Sequence, residues 1–314
     1  MPLHVLLNRP LPPHALETLW KIAPRAEFRH ETRGEALMES LDWAEVIFGN
    51  PPAEALQRCS RLRWLQIVSS GFDEYASLAD RRVIVTTAHG IHAGTIAQHV
   101  LMAMLMFARG QLHFGACQRA AKWDRNPAVP FSLAGQTVGF VGYGMIAKEL
   151  ARFGPLLGLR MIAVKRTVTS RPTEIDHFDT MDGLETLLAQ SDHVVTTLPL
   201  TPETRGVINA SRVALIKFGA YFYNVARGGL VDESALRQRL EAGTLGGAAM
   251  DVFALEPLPP NSPWWQTPRT LIHPHIAGHH RDLGLETFQL FAENLDRYLH
   301  GQPLRNVADF QRGY

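Results

Sequence analysis

Residues 138–147 read VGFVGYGMIA, and they decide the fold. The β-branched, apolar run Thr137 to Val141 predicts a strand and Lys148 to Phe153 a helix, and a second strand, Met161 to Val164, follows at βαβ distance. Between strand and helix, Gly142, Gly144 and Ala147 take the spacing G-x-G-x-x-G/A. Gly142 permits the tight turn, Gly144 lets the backbone approach a pyrophosphate, and the small Ala147 lets the helix pack on the strand. A helix starting there points unpaired N–H groups and its positive dipole end at the phosphates. The segment predicts a dinucleotide site in which Gly142, Tyr143, Gly144, Met145 and Ile146 form the cofactor turn. Glycine-rich turns also join strands to helices where nothing binds. The βαβ context gives this one its meaning.

The end of the second strand says which dinucleotide to expect. NAD sites place Asp or Glu about 20 residues past the glycines to accept from the ribose 2′-OH, whereas a basic side chain suits a 2′-phosphate. Here the chain has Lys165, Arg166 and Thr167, two cations and a hydroxyl with no carboxylate. A solvated basic pair at a strand end is common, but it does not account for the missing acid. NADP(H) is therefore favoured, with NAD(H) as the other possibility.

Composition bounds the rest. A chain of 314 residues predicts about two domains with ample core. Lys plus Arg number 31 against 30 Asp plus Glu, so no global field draws the chain to nucleic acid or an anionic membrane, and neither is expected as a partner. The two cysteines, Cys59 and Cys117, lie far apart without CxxC or Cys/His metal spacing, which fits a reduced compartment. The start, MPLHVLLNRPLPPH, lacks a basic region ahead of a long apolar core, so no signal peptide is expected. The longest apolar run, Val100 to Ala108, is too short to span a bilayer and predicts a buried helix. A cytoplasmic location follows as the expectation.

Along the chain, His4 to Leu7, Ala44 to Phe48, Leu62 to Val68 and Val83 to Thr87 predict strands alternating with amphipathic helices, an α/β layout. One long helical stretch is expected from Thr95 through Met106 to about Trp123, and a proline loop at Asn126 to Pro130. Further strands are predicted at His193 to Leu198, Tyr221 to Val225, Ala248 to Val252 and Thr270 to His273. Asp232 is predicted as an N-cap and Gly243 as the residue just past the same helix. The last helix is expected from Leu283 to His300, ending at Gly301.

Three ionisable residues in the second half have the chemistry of a reduction site. Arg227 follows a strand in NVARGGLVD, and its planar fork of donors can hold a carboxylate bidentately. Glu256 follows another strand in MDVFALEP, and His275 a third in LIHPHIAG. Open α/β sheets bind ligands at the carboxyl ends of their strands, so the three can converge. A histidine backed by a carboxylate is an acid/base unit, because the anion orients the ring and favours its charged form. Surface arginines, loop glutamates and any one of 14 histidines are also ordinary, so convergence is what matters. His273, His279 and His280 have no placed Asp, Glu or Cys partner, and no metal is expected there.

The chain also resembles the D-isomer-specific 2-hydroxyacid dehydrogenases. The likeness is carried by LQIVSSGFD (65–73), GIHAGTIAQHVLMAML (90–105), TVGFVGYGMIA (137–147), LPLTPETRGVIN (198–209), NVARGGLVDE (224–233), AAMDVFALEPLP (248–259) and HPHIAG (273–278), in the family's order and spacing. The resemblance implies that Arg227 binds the substrate carboxylate and keto oxygen, His275 is the acid/base and Glu256 its partner. Backbone amides at Ser70 and Gly71 would help hold the carboxylate, and Leu198, Pro199, Thr204, Ala226 and Asp251 would lie along the cofactor. It further implies two Rossmann-like, doubly wound parallel-sheet domains with a cleft between them. Residues 1–98 and 283–314 would form a flavodoxin-like substrate-binding domain, and 99–282 an inserted dinucleotide-binding domain. A homodimer built on the long helix is expected. Three positions depart from the family: Ala147 stands for a glycine, Gln98 for a usual Glu, and Lys165 for the usual Asp. Lys165 points to the NADPH-preferring glyoxylate/hydroxypyruvate reductase branch, reducing a small 2-oxo acid to its D-2-hydroxy acid. The fold also serves nucleotide-sensing corepressors, but the chain ends soon after its last helix, without the charged or disordered extension partner binding would use. An enzyme is the expectation.

Overall fold

The computed structural model describes residues 2–57, 59–125 and 130–313, so most of the loop expected at Asn126 to Pro130 falls outside the described residues. The chain divides into two units, Met1–His92 with His279–Tyr314, and Ala93–Gly278. Those limits fall ahead of the expected breaks at 98/99 and 282/283. The helix Ala93–Ala108 is continuous and packs on Met145–Ala151, so it belongs to the second unit from its first residue.

The first unit carries β1 (His4–Asn8), β2 (Glu27–His30), β3 (Val46–Gly49), β4 (Trp64–Gln66) and β5 (Ile84–Thr86) in one parallel sheet, ordered β2-β1-β3-β4-β5. This is the flavodoxin-like order. Val5, Leu6, Leu7, Val46, Ile47 and Phe48 are all fully buried, as strands covered on both faces require. Alternation then splits them: Leu6, Ile47 and Leu65 enter one core, and Val5, Leu7, Phe48 and Trp64 the other. The helix Leu283–Leu299 closes the second core by stacking Phe291 on Phe48, with ring centroids 4.4 Å apart.

The second unit holds β6 (Thr137–Val141), β7 (Arg160–Val164), β8 (His177–Asp179), β9 (His193–Thr196), β10 (Tyr221–Asn224), β11 (Gly247–Met250) and β12 (Thr270–Ile272). All pair parallel, in the order β12-β11-β10-β9-β6-β7-β8. Chain direction across the sheet reverses between β6 and β9, which makes the carboxyl ends of those two strands the ligand-binding switch point of a doubly wound fold.

One expectation needs correcting. The single helix from Thr95 to about Trp123 is two, Ala93–Ala108 and Gln111–Arg119, bent by 72° where Gly110 takes φ +66°. A left-handed glycine ends a helix. The sequence pattern also passed over β2 and β8, sheet-edge strands reading EFRH and HFD, because none of their side chains is fully buried and neither carries an apolar run. Asp232 does cap its helix, accepting from the Ala235 amide at 2.9 Å, and Gly243 follows that helix at φ +74°. Among the described residues no single helix is long and apolar enough to cross a membrane.

Candidate active site

The glycine turn lies at the switch point. Gly142 has φ +98°, and a Cβ there would meet the Leu198 side chain at 2.9 Å, so only glycine lets the turn after β6 close on the segment after β9. Thr197 braces the same contact: its hydroxyl donates to the Gly142 carbonyl at 2.7 Å and its amide to Val141 at 2.9 Å. Gly144 is the opposite case. It is exposed, and a Cβ there would meet nothing within 4 Å, so the outer face of the turn is open to a close-approaching group. Ala147 is fully buried in the core between helix and sheet. These features fit a pyrophosphate.

The expected cofactor residues divide by what their side chains do. Met145 is exposed and Ile146 half-buried on the open turn. The Tyr143 side chain turns away into the core and donates from its hydroxyl to Glu174 at 2.9 Å, leaving only its backbone at the turn. Burial, with Glu174 beside it, pushes that phenol up. Thr204 donates to the Pro199 carbonyl at 2.7 Å and accepts from the Thr201 amide at 2.8 Å, so it shapes the loop after β9 that carries Leu198 and Pro199. Lys165, Arg166 and Thr167 are exposed at the carboxyl end of β7, beside the turn. The Lys165 backbone is pinned by its amide to the Asp179 carbonyl at 3.0 Å, while its ammonium forms no ion pair among the described residues. Arg166 adds to the pull of Thr201 that holds the Glu203 carboxyl below its ordinary range.

The acid/base pair is formed. His275 Nδ1 lies 2.8 Å from Glu256 Oε2, while Glu256 Oε1 accepts from the Phe253 amide at 2.8 Å. One carboxylate thus orients the ring and is itself oriented by backbone. The histidine occupies a tight turn at φ +53°, a costly conformation for a side-chain-bearing residue. Asp251, at the end of β11, holds that turn: its carbonyl accepts from the His275 amide at 2.8 Å, and its two carboxylate oxygens from Ile276 and Ala277 at 2.8 and 3.0 Å. Its side chain is committed to the histidine turn, which the sequence reading placed along the cofactor.

Arg227 is brought to the same strand ends by glycine. A Cβ on Gly228 would lie 2.0 Å from the Phe253 carbonyl carbon, so the arginine segment and the loop leading to Glu256 run in contact, backbone against backbone. Arg227 Nη1 donates to the Ala226 carbonyl at 2.8 Å, and buried Asn224 organises the turn, accepting from the Ala226 amide at 3.2 Å and donating to the Arg227 carbonyl at 3.0 Å.

Sequence reasoning passed over the residues that hold this cluster. Asn224 was a signal in plain view, a polar side chain ending the apolar strand β10. Glu233 clamps the 253–264 loop through the Ala254 amide at 2.6 Å and Trp264 Nε1 at 3.0 Å. Burial pushes its carboxyl up, against those two donors, and Glu256 adds to the rise. His99 and His273 stack edge-on with centroids 4.3 Å apart, and burial lowers both below the usual imidazole range.

Ser70 and Gly71 belong to the first unit, on the loop after β4. Their amides donate to no acceptor among the described residues, and the Ser70 hydroxyl donates weakly to the Ala88 carbonyl at 3.4 Å.

Comparison with known proteins agrees with this geometry. Residues 101–277 match the family described as D-isomer specific 2-hydroxyacid dehydrogenase, NAD binding domain. A glyoxylate reductase from Thermofilum pendens is 33% identical over 261 residues, covering 80% of this chain and 76% of that protein. A D-3-phosphoglycerate dehydrogenase from Archaeoglobus fulgidus is 28% identical over 97% of this chain, which spans only 59% of that relative's length. A crystal structure of a D-isomer specific 2-hydroxyacid dehydrogenase from Xanthobacter autotrophicus Py2, in complex with NADPH and MES, superposes with a TM-score of 0.83 at 29% identity, covering 100% of both chains. With a glycine turn fitted to a dinucleotide, a His–Glu pair and an arginine at neighbouring strand ends, and a family match over more than half its length, the chain belongs to the D-isomer-specific 2-hydroxyacid dehydrogenase family.

Proposed function

We propose that this protein is an NAD(P)H-dependent reductase of small 2-oxo acids, of glyoxylate or hydroxypyruvate size, that forms the D-2-hydroxy acid and favours NADPH. The observation that carries the reading is the 2.8 Å contact of His275 with Glu256, held on strand ends next to an arginine. The bound nicotinamide supplies the hydride. His275, as imidazolium, donates a proton from its ring to the keto oxygen, and Glu256 holds the ring for that transfer. Arg227 cancels charge as it develops on that oxygen, which is worth most where water is excluded. Ser70 and Gly71, whose amides meet no acceptor among the described residues, are proposed as donors to the substrate carboxylate. The exposed ammonium of Lys165 supports NADPH, because it stands where an acid would repel a 2′-phosphate.

We infer a homodimer from Met102 and Leu105, exposed apolar side chains three residues apart on the helix Ala93–Ala108, whose opposite face is buried. Sedimentation at several concentrations tests it, and a monomer throughout would reject it.

The deciding experiment is an absorbance assay at the reduced-nicotinamide band with glyoxylate, hydroxypyruvate, pyruvate, 3-phosphohydroxypyruvate and bulkier 2-oxo acids, each with NADPH and NADH. The expected result is turnover of the smallest acids with a higher kcat/KM for NADPH. Preference for the phosphorylated acid would move the assignment toward the phosphoglycerate dehydrogenase relative. No turnover with any acid would reject the reductase reading.

A further inference from the structure

Away from the glycine turn and the His–Glu pair, the second unit gathers three metal-ligating side chains. His113 and Cys117 stand four residues apart on the helix Gln111–Arg119, which puts them on one face, a Cys/His spacing that the sequence reading did not count because it is visible only once the segment is helical. Cys117 Sγ lies 3.3 Å from His113 Nε2. Past the helix the chain doubles back: Ala121 takes φ +50° and the Lys122 amide returns to the Cys117 carbonyl at 2.9 Å, which brings Asp124 over the same face. One ligand atom from each of His113, Cys117 and Asp124 then lies within 4.8 Å of the others. Metal bonds to nitrogen, sulfur and oxygen of about 2.0–2.3 Å require ligand atoms roughly 3.4–3.6 Å apart in a tetrahedral array, a spacing that the Cys117–His113 pair at 3.3 Å already approaches.

We propose that His113, Cys117 and Asp124 form a binding site for a divalent transition cation, zinc foremost, with a fourth position left for water. The donor set selects the ion. Thiolate and imidazole suit zinc and its neighbours, whereas magnesium and calcium take oxygen ligands. Lys122 already places a positive charge on the carboxylate, with Nζ 2.9 Å from Asp124 Oδ2. Its side chain is 66% exposed, so it can swing into solvent when a metal takes its place. Cys117 is buried, which shields a metal–thiolate bond from competing water. The site would tie the turn after the helix to the helix itself, and it shares no residue with the proposed reductase.

The test is a titration of the full-length, reduced, metal-free protein with Co²⁺, read by the thiolate-to-metal charge-transfer band and the intensity of the visible bands, followed by displacement with Zn²⁺. One Co²⁺ per chain with tetrahedral intensity, displaced by one Zn²⁺, is expected. Cys117→Ser should abolish the charge-transfer band, and Cys59→Ser, in the other unit, should leave it. His113→Gln and Asp124→Asn, which alter partly exposed groups and keep the fold testable, should each weaken Zn²⁺ binding by at least about tenfold. Absence of the band in the wild type, its survival in Cys117→Ser, or affinity unchanged by both His113→Gln and Asp124→Asn would overturn the site.

Discussion

At the scale of single residues, the protein's chemistry rests on a few side chains whose partners fix their task. His275 has one ring nitrogen on Glu256, and in the proposed reaction the other faces the keto oxygen. His275→Ala is expected to lower kcat by about 10²–10⁴-fold, the usual loss for a general acid/base, with NADPH affinity by fluorescence titration nearly unchanged. Near-wild-type turnover would assign the proton to another group. At the proposed cofactor end, Lys165→Asp replaces an exposed ammonium with the acid that suits a ribose 2′-OH. It should cost NADPH about 1–3 kcal/mol in kcat/KM relative to NADH, the worth of charge-assisted phosphate contacts. An unchanged ratio would make Lys165 a surface charge only.

At the scale of elements, loops that carry function are held by close backbone contacts and buried polar groups. Gly228 lets the Arg227 segment touch the Phe253 backbone, so Gly228→Ala should cost about 1–3 kcal/mol or more in urea unfolding and reduce kcat as Arg227 and Glu256 move apart. Gly229→Ala meets only the tips of Leu200 and Arg205 at 3.2–3.3 Å and should cost much less. Equal effects would mean the backbone contact is not limiting. Inside the sheet, His193 on β9 is fully buried between the Tyr223 hydroxyl at 2.9 Å and Gln136 at 2.6 Å, and burial pushes its imidazole down to about 4. The folded state therefore favours the neutral ring. Above the unfolded value near 6.5 its contribution is fully present; as pH falls the unfolded chain takes the proton first, and stability is lost until the folded value is passed. The loss between pH 6.5 and 4 is on the order of 3 kcal/mol. His193→Gln should flatten that part of the stability–pH curve, measured by urea melts, and an unaltered slope would place the acid sensitivity elsewhere.

At the scale of the whole molecule, one unit is continuous in sequence and the other is not. The first unit needs its returning segment: Phe291 stacks on Phe48 and Trp64, Asn294 donates to Gln66 at 2.9 Å, and the Ala308 amide donates to Val85 at 2.8 Å. A fragment of residues 93–278 is expected to melt cooperatively and to bind NADPH. A fragment of residues 1–92 should not fold until 279–314 is added, and Phe291→Ala in the full chain should cost about 3–5 kcal/mol. Circular dichroism melts of the two fragments decide the point, and a folded 1–92 alone would show that the return is dispensable.

The glycine spacing, the missing acid at Lys165 and the central apolar strands were legible in the sequence because each is local: a turn needs glycine, a phosphate repels a carboxylate, and a strand covered on both faces must be apolar. The residues Arg227, Glu256 and His275 could be nominated from their type and their place after strands, but that His275 meets Glu256 is a fact of parallel pairing that brings β11 and β12 side by side. Edge strands β2 and β8, the break at Gly110, the commitment of Asp251 to the histidine turn and the clamp at Glu233 were decided only by the tertiary structure. Each depends on a neighbour distant in the chain or on which face meets solvent, and a linear pattern carries no record of either.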